Sequence, residues 1–281
     1  MGGFAMKKDI RIIALDLDGT LLNSDKELTE RNYRALEEAA RRGIEIVPTT
    51  GRFYNAMPQV IRDLPFVRYA ITVNGAQAVD THTGEVLYRA EIPWQRAVDL
   101  MAYFDTLPVA YDCFLDNDAF MTADLQNRIA EYTDHPQYQK LVRELRRPVP
   151  ELKAFVAERQ RDVQKTQIFT MDMELRARML RELPEMFEDV VTSSALLHNV
   201  EINDRRGNKG DALLALAAHL GCTAEQIMAC GDGLNDLSMI EAAGLGVAMG
   251  NAEEALKACA DYITDDCDHA GVAAAIEKFC L

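Results

Sequence analysis

The chain has 281 residues, about two average domains at roughly 150 residues each, and 48% of them are hydrophobic, which excludes a disordered chain and a miniature scaffold. Asp and Glu number 45 against 30 Lys and Arg, a formal charge of −15 that argues against a general binder of nucleic acid or of anionic membranes. Six widely spaced cysteines, with no Cys-x-x-Cys pair or zinc-like cluster, fit free thiols in a reducing cytosol. Residues Met1–Asp9 lead into an apolar segment too short for a signal peptide. No stretch approaches the ~18 apolar residues of a membrane span. A soluble, cytoplasmic protein is expected, with neither nucleic acid nor membrane as partner.

Ile10 to Leu17 is a short apolar run closed by Asp18-Gly19-Thr20, the pattern of a strand buried on both faces and followed by a tight loop. Thr29 to Arg42 carries helical periodicity through Tyr33, Leu36 and Ala40 and stops at Gly43. Ile44 to Val47 is a second buried-type strand, followed by Thr49-Thr50-Gly51-Arg52. A helix is predicted near Tyr54 to Leu64, and a third strand from Tyr69 to Val73 stops at Asn74-Gly75. This alternation predicts a doubly wound parallel sheet. The rhythm then changes. Ala76 to Asp80 and Glu85 to Ala90 flank a hairpin signal at Thr81-His82-Thr83-Gly84. Helices are predicted over Trp94–Phe104, Leu125–Tyr132, Pro136–Arg146 and Glu174–Leu183, and strands over Val109–Leu115, Gln167–Met171, Val190–Ser193 and Asn199–Ile202. Strand and helix alternate again after Gly207, through Lys209–His219, Ile227–Cys230, Asp236–Ala243, Gly246–Met249, Tyr262–Thr264 and Gly271–Phe279. The fold class is therefore α/β. One doubly wound parallel-sheet core is built from residues 1–82 and 191–281, and an α+β domain is inserted at 83–190.

Ligands of open α/β sheets bind beyond the carboxyl ends of the strands, and four polar sets fall at that edge. Asp16 and Asp18 end the first strand, and Gly19 lets the backbone turn tightly enough for both carboxylates to face one site. Asp18 alone could be a turn former or cap, but a carboxylate inside an apolar strand, as at Asp16, calls for a cation. Thr50 and Gly51 end the second strand, either as a helix N-cap or as an anion cradle of hydroxyl and backbone N–H groups. Lys209 starts a helix, electrostatically the wrong end for a lysine; a shared anion would remove the conflict. Asp232 and Asp236, with Asn235, lie in the loop Gly231-Asp232-Gly233-Leu234-Asn235-Asp236 and suit Mg²⁺, although Asp236 alone could cap its helix. Together these groups describe a magnesium-bound phosphate with an in-line carboxylate nucleophile, that is, phosphoryl transfer through an aspartyl phosphate.

At these residues the chain resembles the haloacid dehalogenase-like superfamily, and within it the Cof-type phosphatases (subclass IIB, with a C2-type cap), over essentially its whole length. The resemblance implies that Asp16 is the nucleophile and that Asp18 protonates the leaving oxygen and then activates water. It implies Mg²⁺ ligation by Asp16, the Asp18 backbone carbonyl and Asp232. Thr50, Gly51, Lys209 and Asn235 then hold the phosphate, and Asp236 supports them. Asn74 and Gly75 match the family's Asn-Gly-Ala segment beside the cap hinge. Between Asp18 and Thr50 lie 31 residues and between Thr50 and Lys209 lie 158, so the cap falls after the third strand. Pro48 and Cys267-Asp268-His269-Ala270 depart from the family's pattern without removing a catalytic group.

The function implied is a Mg²⁺-dependent phosphatase for a small phosphomonoester, a sugar phosphate or similar metabolite. A phosphomutase or phosphotransferase is the enzymatic alternative. A phospho-accepting signalling module is the non-enzymatic one, but it has no use for an interval of 158 residues. In the inserted domain, Trp94 reads as packing. Tyr111, Asp112, Asp116, Asn117 and Asp118 read as a solvated turn, and Arg143 to Arg147 as a solvated helix face.

Overall fold

The computed structural model describes residues 9–194 and 197–281; the reading of Met1–Lys8 as leaderless lies outside the described residues. Two compact units emerge. One comprises the chain up to Arg52, Met57–Arg89 and Asn208–Leu281, and the other Phe53–Ala56 and Ala90–Gly207.

The first unit contains β1 (Ile12–Leu15), α1 (Glu30–Arg41), β2 (Glu45–Pro48), α2 (Gln59–Arg62), β3 (Tyr69–Thr72), β4 (Gln77–Asp80) and β5 (Val86–Arg89). β1 is buried at every position, as its unbroken Ile-Ile-Ala-Leu run requires of a central strand. In α1 the Thr29 hydroxyl accepts the Asn32 backbone N–H at 3.2 Å, closing the N-terminus. Asn32 is itself buried, donating to the Leu21 carbonyl and accepting the Ala273 N–H. Pro58 forces the predicted Tyr54–Leu64 helix into two pieces, a 3₁₀ turn at Tyr54–Ala56 and the four-residue α2, because proline has no N–H to give a preceding turn.

In the second unit lie α3 (Trp94–Phe104), β6 (Ala110–Leu115), β7 (Asp118–Thr122), α4 (Ala123–Asn127), α5 (Pro136–Leu145), β8 (Arg146–Val149), α6 (Leu152–Arg159), β9 (Lys165–Phe169), α7 (Met173–Met186), β10 (Val190–Ser193) and β11 (Asn199–Asp204). The chain then returns to the first unit with α8 (Lys209–His219), β12 (Ile227–Gly231), α9 (Leu237–Ala242), β13 (Leu245–Ala248), α10 (Glu254–Cys259), β14 (Tyr262–Ile263) and α11 (Gly271–Phe279). Patterning alone missed β7, β8, α6 and α10.

The first unit's main sheet runs β14-β13-β12-β1-β2, all parallel. β3 joins it only through a parallel bridge from Ile71 to Thr49 and otherwise heads an antiparallel sheet β3-β4-β5, so the predicted third strand of the parallel sheet is a crossover into a hairpin. The second unit has one sheet, β10-β11-β9-β6-β7-β8. One of its faces sends Tyr111, Cys113, Leu115, Ile168, Val200 and Ile202 into a core with residues of α3, α6 and α7. Each large aliphatic buried there is worth roughly 1.5–3 kcal/mol.

The boundaries expected at 83 and 190 therefore move to 90 and 207. β5 stays with the first unit because it pairs with β4, and β10 and β11 belong to the second because β11 pairs with β9. Local pattern cannot choose a strand's partner. Two polar readings change as well. Arg146 is buried and paired with Asp112 rather than solvated. Asp116 and Asn117 do form a turn, with φ of 52° and 60°, but Tyr111 and Asp112 are buried inside β6. Trp94 packs against the apolar core, as expected. Among the described residues no helix is long and apolar enough to cross a membrane.

Candidate active site

Asp16 follows the last residue of β1, its backbone N–H donating to the Cys230 carbonyl at 3.0 Å, so the β1–β12 ladder fixes where its carboxylate starts. Lys209, fully buried, donates from Nζ to Asp16 Oδ1 at 2.6 Å and to Asp236 Oδ1 at 2.5 Å. The other oxygen of Asp236 accepts the backbone N–H groups of Asp232 and Gly233 at 2.9 and 3.0 Å. Asp236 therefore ties the β12–α9 loop to the lysine at the head of α8. Asp232 is held by the Thr20 hydroxyl at 2.8 Å. Gly19 adopts φ +87°, and a Cβ there would collide with the Asp232 carboxylate, so this approach of the two loops requires glycine.

Three carboxylates, Asp16, Asp232 and Asp236, each bring an oxygen within 4.8 Å of the others, with a single ammonium among them. Burial, opposed by Lys209 and reinforced by Asp236 and Asp232, pushes the Asp16 carboxyl up to about 7. Burial also pushes Asp232 up to about 6, against the Thr20 hydrogen bond and with Asp236 adding repulsion. Burial works against the charge of Lys209, but Asp16 and Asp236 outweigh it and hold the ammonium above the ordinary lysine range. An all-oxygen donor set with surplus negative charge fits a hard divalent cation of the Mg²⁺ kind. The lysine's conflict with the helix dipole is resolved by these two carboxylates.

Asp18 is placed differently. Its carboxylate is outside the three-carboxylate group and accepts Arg52 in bidentate fashion, Nε at 2.8 Å and Nη2 at 2.9 Å, with Lys26 Nζ at 3.1 Å. Partial burial works to raise its pKa, but Arg52 and then Lys26 outweigh burial and hold the carboxyl below the usual range. Arg52 and Lys26 were not singled out from sequence; for Arg52 the signal was its place directly after Thr50-Gly51.

Thr50 is buried at the end of the β2 edge, its N–H on the Ile71 carbonyl at 2.9 Å and its hydroxyl accepting the Arg52 N–H at 3.2 Å. Asn74 sits in the left-handed region at φ 57°. It donates its N–H to the Thr50 carbonyl and accepts Asn235 Nδ2 at 3.2 Å on its side-chain oxygen. A Cβ on Gly51 would come within 2.8 Å of that same oxygen. Gly75, at φ +95°, lies against the Asn208 backbone where a Cβ would overlap the carbonyl. Asn208 caps α8 by accepting the Asp211 N–H at 2.8 Å, so this contact sets the start of the helix that carries Lys209. Asn74 and Gly75 are thus bonded into the site and do more than mark its edge.

Residues 13–276 match the model of the haloacid dehalogenase-like hydrolase family. The phosphatase YwpJ of Bacillus subtilis is 34% identical over 94% of this chain and 98% of its own length. The 5-amino-6-(5-phospho-D-ribitylamino)uracil phosphatase YcsE of the same organism is 31% identical over 97% of each chain. Among solved structures, a haloacid dehalogenase-like hydrolase from Bacteroides thetaiotaomicron superposes with a TM-score of 0.81 at 29% identity, covering 96% of this chain and 99% of that one. The fold, the four polar sets at one sheet edge and these matches agree: the chain belongs to the haloacid dehalogenase-like hydrolases.

Proposed function

We propose that the chain is a Mg²⁺-dependent phosphatase that hydrolyses a small phosphomonoester, a sugar phosphate or similar metabolite, through an aspartyl phosphate on Asp16. The observation that carries this reading is the setting of Asp16. Its Oδ1 is held by a buried lysine, and its Oδ2 accepts no hydrogen bond from any described residue. A carboxylate fixed through one oxygen and open at the other is a positioned nucleophile. The relatives named as phosphatases support the same chemistry.

Asp16 and Asp232, with the Asp18 carbonyl, would hold the ion. Asp236 supports them, both of its oxygens being engaged by Lys209 and backbone N–H groups. When bound, Mg²⁺ supplies positive charge against the phosphoryl oxygens and the buried carboxylates.

In the first half-reaction, Asp16 attacks phosphorus, the ester P–O bond breaks, and the leaving oxygen takes a proton from Asp18. In the second, Asp18 takes a proton from water, the water oxygen attacks phosphorus, and the acyl phosphate bond breaks to return Asp16 and free phosphate. Arg52 and Lys26 keep Asp18 ionised as it stands, the form needed for the second half; to act as acid in the first, Asp18 must leave Arg52. Lys209, the Thr50 hydroxyl and the N–H groups near Gly51 face the phosphoryl oxygens as charge and hydrogen-bond donors. The inserted unit is proposed to select among phosphomonoesters.

Turnover of p-nitrophenyl phosphate with Mg²⁺ tests the reading. Asp16→Asn is expected to lose it entirely, and retained activity in the purified variant would refute the nucleophile. Measuring free against transferred phosphate, with sugar acceptors present, separates hydrolysis from phosphotransfer.

A further inference from the structure

We propose that Asn251 is a positioning residue for the Asp18 carbonyl: its side chain pins the peptide that follows that group and so sets how tightly the site takes a divalent cation. The inference rests on the reading that the Asp18 carbonyl and Asp232 hold Mg²⁺.

The segment Met249–Glu253, between β13 and α10, bonds the backbone of both loops from which those ligands come. On the β12 side, Met249 donates its N–H to the Gly231 carbonyl and Glu253 donates its own to the Asp232 carbonyl, each at 3.0 Å. On the β1 side, Asn251 donates from Nδ2 to the Gly19 carbonyl at 2.8 Å, across 232 positions of sequence. The asparagine is itself held, its Oδ1 accepting the Cys267 N–H at 2.9 Å. Beside it the Gly250 N–H donates to the Asp265 carbonyl at 3.1 Å. Asp268 reaches the β1 loop farther along, its carboxylate accepting the Ser24 N–H at 2.8 Å and the Ser24 hydroxyl at 2.7 Å. Cys267-Asp268, a departure from the family's pattern, thereby braces both Asn251 and the β1 loop.

An exposed asparagine that joins two loops is ordinarily packing alone. Here the place where its donor lands argues for more. Gly19 stands at φ +87°, a conformation glycine takes without strain, and glycine is also the residue freest to rotate about the bonds on either side. The Asp18 carbonyl belongs to the peptide before Gly19, and the carbonyl bonded by Asn251 belongs to the peptide after it. Thr20, next in the chain, donates its hydroxyl to Asp232 Oδ1 at 2.8 Å. With the Gly19 carbonyl fixed, the turn between the Asp18 carbonyl and the Asp232 carboxylate is held in one shape. Released, Gly19 gains rotational freedom that has to be given up each time the ion binds. Groups that orient a metal's ligands without touching the metal are worth roughly 10- to 100-fold in affinity, and one neutral hydrogen bond belongs at the lower end of that range.

The test titrates Mg²⁺ into metal-free protein and follows the melting temperature, a measure of binding that needs no turnover. The variant is Asn251→Ala, at an exposed position where folding is not at stake. Its Mg²⁺ dissociation constant is expected to rise about tenfold. The Mg²⁺ concentration that half-activates turnover of p-nitrophenyl phosphate should rise by the same factor, with kcat at saturating Mg²⁺ unchanged. Ser24→Ala loosens the same loop without reaching Gly19 and should leave both constants where they are. Equal constants for Asn251→Ala and the wild type would overturn the proposal. So would an equal rise in Ser24→Ala, which would make the effect one of general loosening. A wild type whose melting temperature ignores Mg²⁺ overturns the metal reading and this inference with it. The expected shift in melting, with no turnover in either protein, upholds the positioning role and sinks the phosphatase reading alone.

Discussion

Replacing Lys209 by methionine tests the electrostatics of the site directly. The lysine is fully buried and is the only cation bonded to Asp16 and Asp236 among the described residues. Methionine keeps most of the volume and removes the charge, leaving two buried carboxylates without their donor. Breaking a buried ion pair from one side costs about 3–5 kcal/mol, a large fraction of the ~5–15 kcal/mol that holds a typical protein together. The loss depends on pH. In the variant nothing opposes burial of Asp16, so its folded pKa rises further above the ordinary 3.8, and the folded state binds a proton that the unfolded state has released. That proton relieves the repulsion, so destabilisation is smaller near pH 5.5 than near pH 8. Hydrogen exchange of the β1 and β12 amides, with EDTA present so that no metal compensates, reads the opening free energy of the first unit. Tryptophan fluorescence does not, because Trp94 lies in the second unit. A loss below ~1 kcal/mol at pH 8, or a loss independent of pH, would show that Lys209 is solvated and refute the argument. Turnover of the variant should fall by roughly 10²–10³, the usual consequence of removing a preorganised donor from a developing oxyanion.

Three further outcomes are expected. Gly75→Ala should destabilise by about 2 kcal/mol by thermal or urea unfolding, since alanine at φ +95° is strained and its Cβ overlaps the Asn208 carbonyl; an unchanged midpoint would mean that the α8 start is free to shift. Asn74→Ala should lower kcat about tenfold through loss of the Asn235 contact; Asn74→Gly restores the backbone but not the hydrogen bond, so rescue of kcat by glycine would assign the effect to backbone strain. In EDTA the folded pKa values of Asp16 and Asp232, raised to about 7 and 6, mean that their contribution to stability is full below their ordinary value near 3.8 and is lost as pH rises through about 6–7. The melting temperature of the wild type, relative to Asp16→Asn, should therefore drop between pH 5 and 8 and recover with Mg²⁺; equal slopes for the two proteins would contradict the assignment.

The elements legible in the sequence are those whose signal is local. Buried apolar runs gave β1, β2 and β12, and the Gly-Asp-Gly-Leu-Asn-Asp stretch announced a carboxylate loop because glycine and acid density at a strand end has few other uses. What stayed hidden depends on distant partners. β10 and β11 follow the same alternation in either unit, and only pairing with β9 assigns them. Arg146 falls at the end of the predicted Pro136–Arg146 helix, in a basic run that reads as a solvated face, but it opens β8 instead, and its burial against Asp112, 34 positions away, left no trace in the pattern. Asp18 shows the same limit within the site. Its position on the chain was evident, but its engagement by Arg52 follows from the loop after β2 folding back, which spacing does not report.

The order of strands in the parallel sheet bears on how the chain is made. β1 lies inside it, one strand in from the β2 edge and between β2 and β12, with Ile12 registered against Ile227. A ribosome delivers β1 and β2 early and β12 only after the whole inserted unit has emerged, so the nascent first segment carries a fully apolar strand with one edge open throughout. The inserted unit has its own sheet and core, within the interval between the two halves of the first, and is free to fold during that wait. Completion of the β1–β12 ladder, and with it the meeting of Asp16 with Lys209, is then a late, long-range closure. Slow refolding with an aggregation-prone intermediate is the expected cost of building the site from the first strand the ribosome delivers and from segments made after the whole inserted unit.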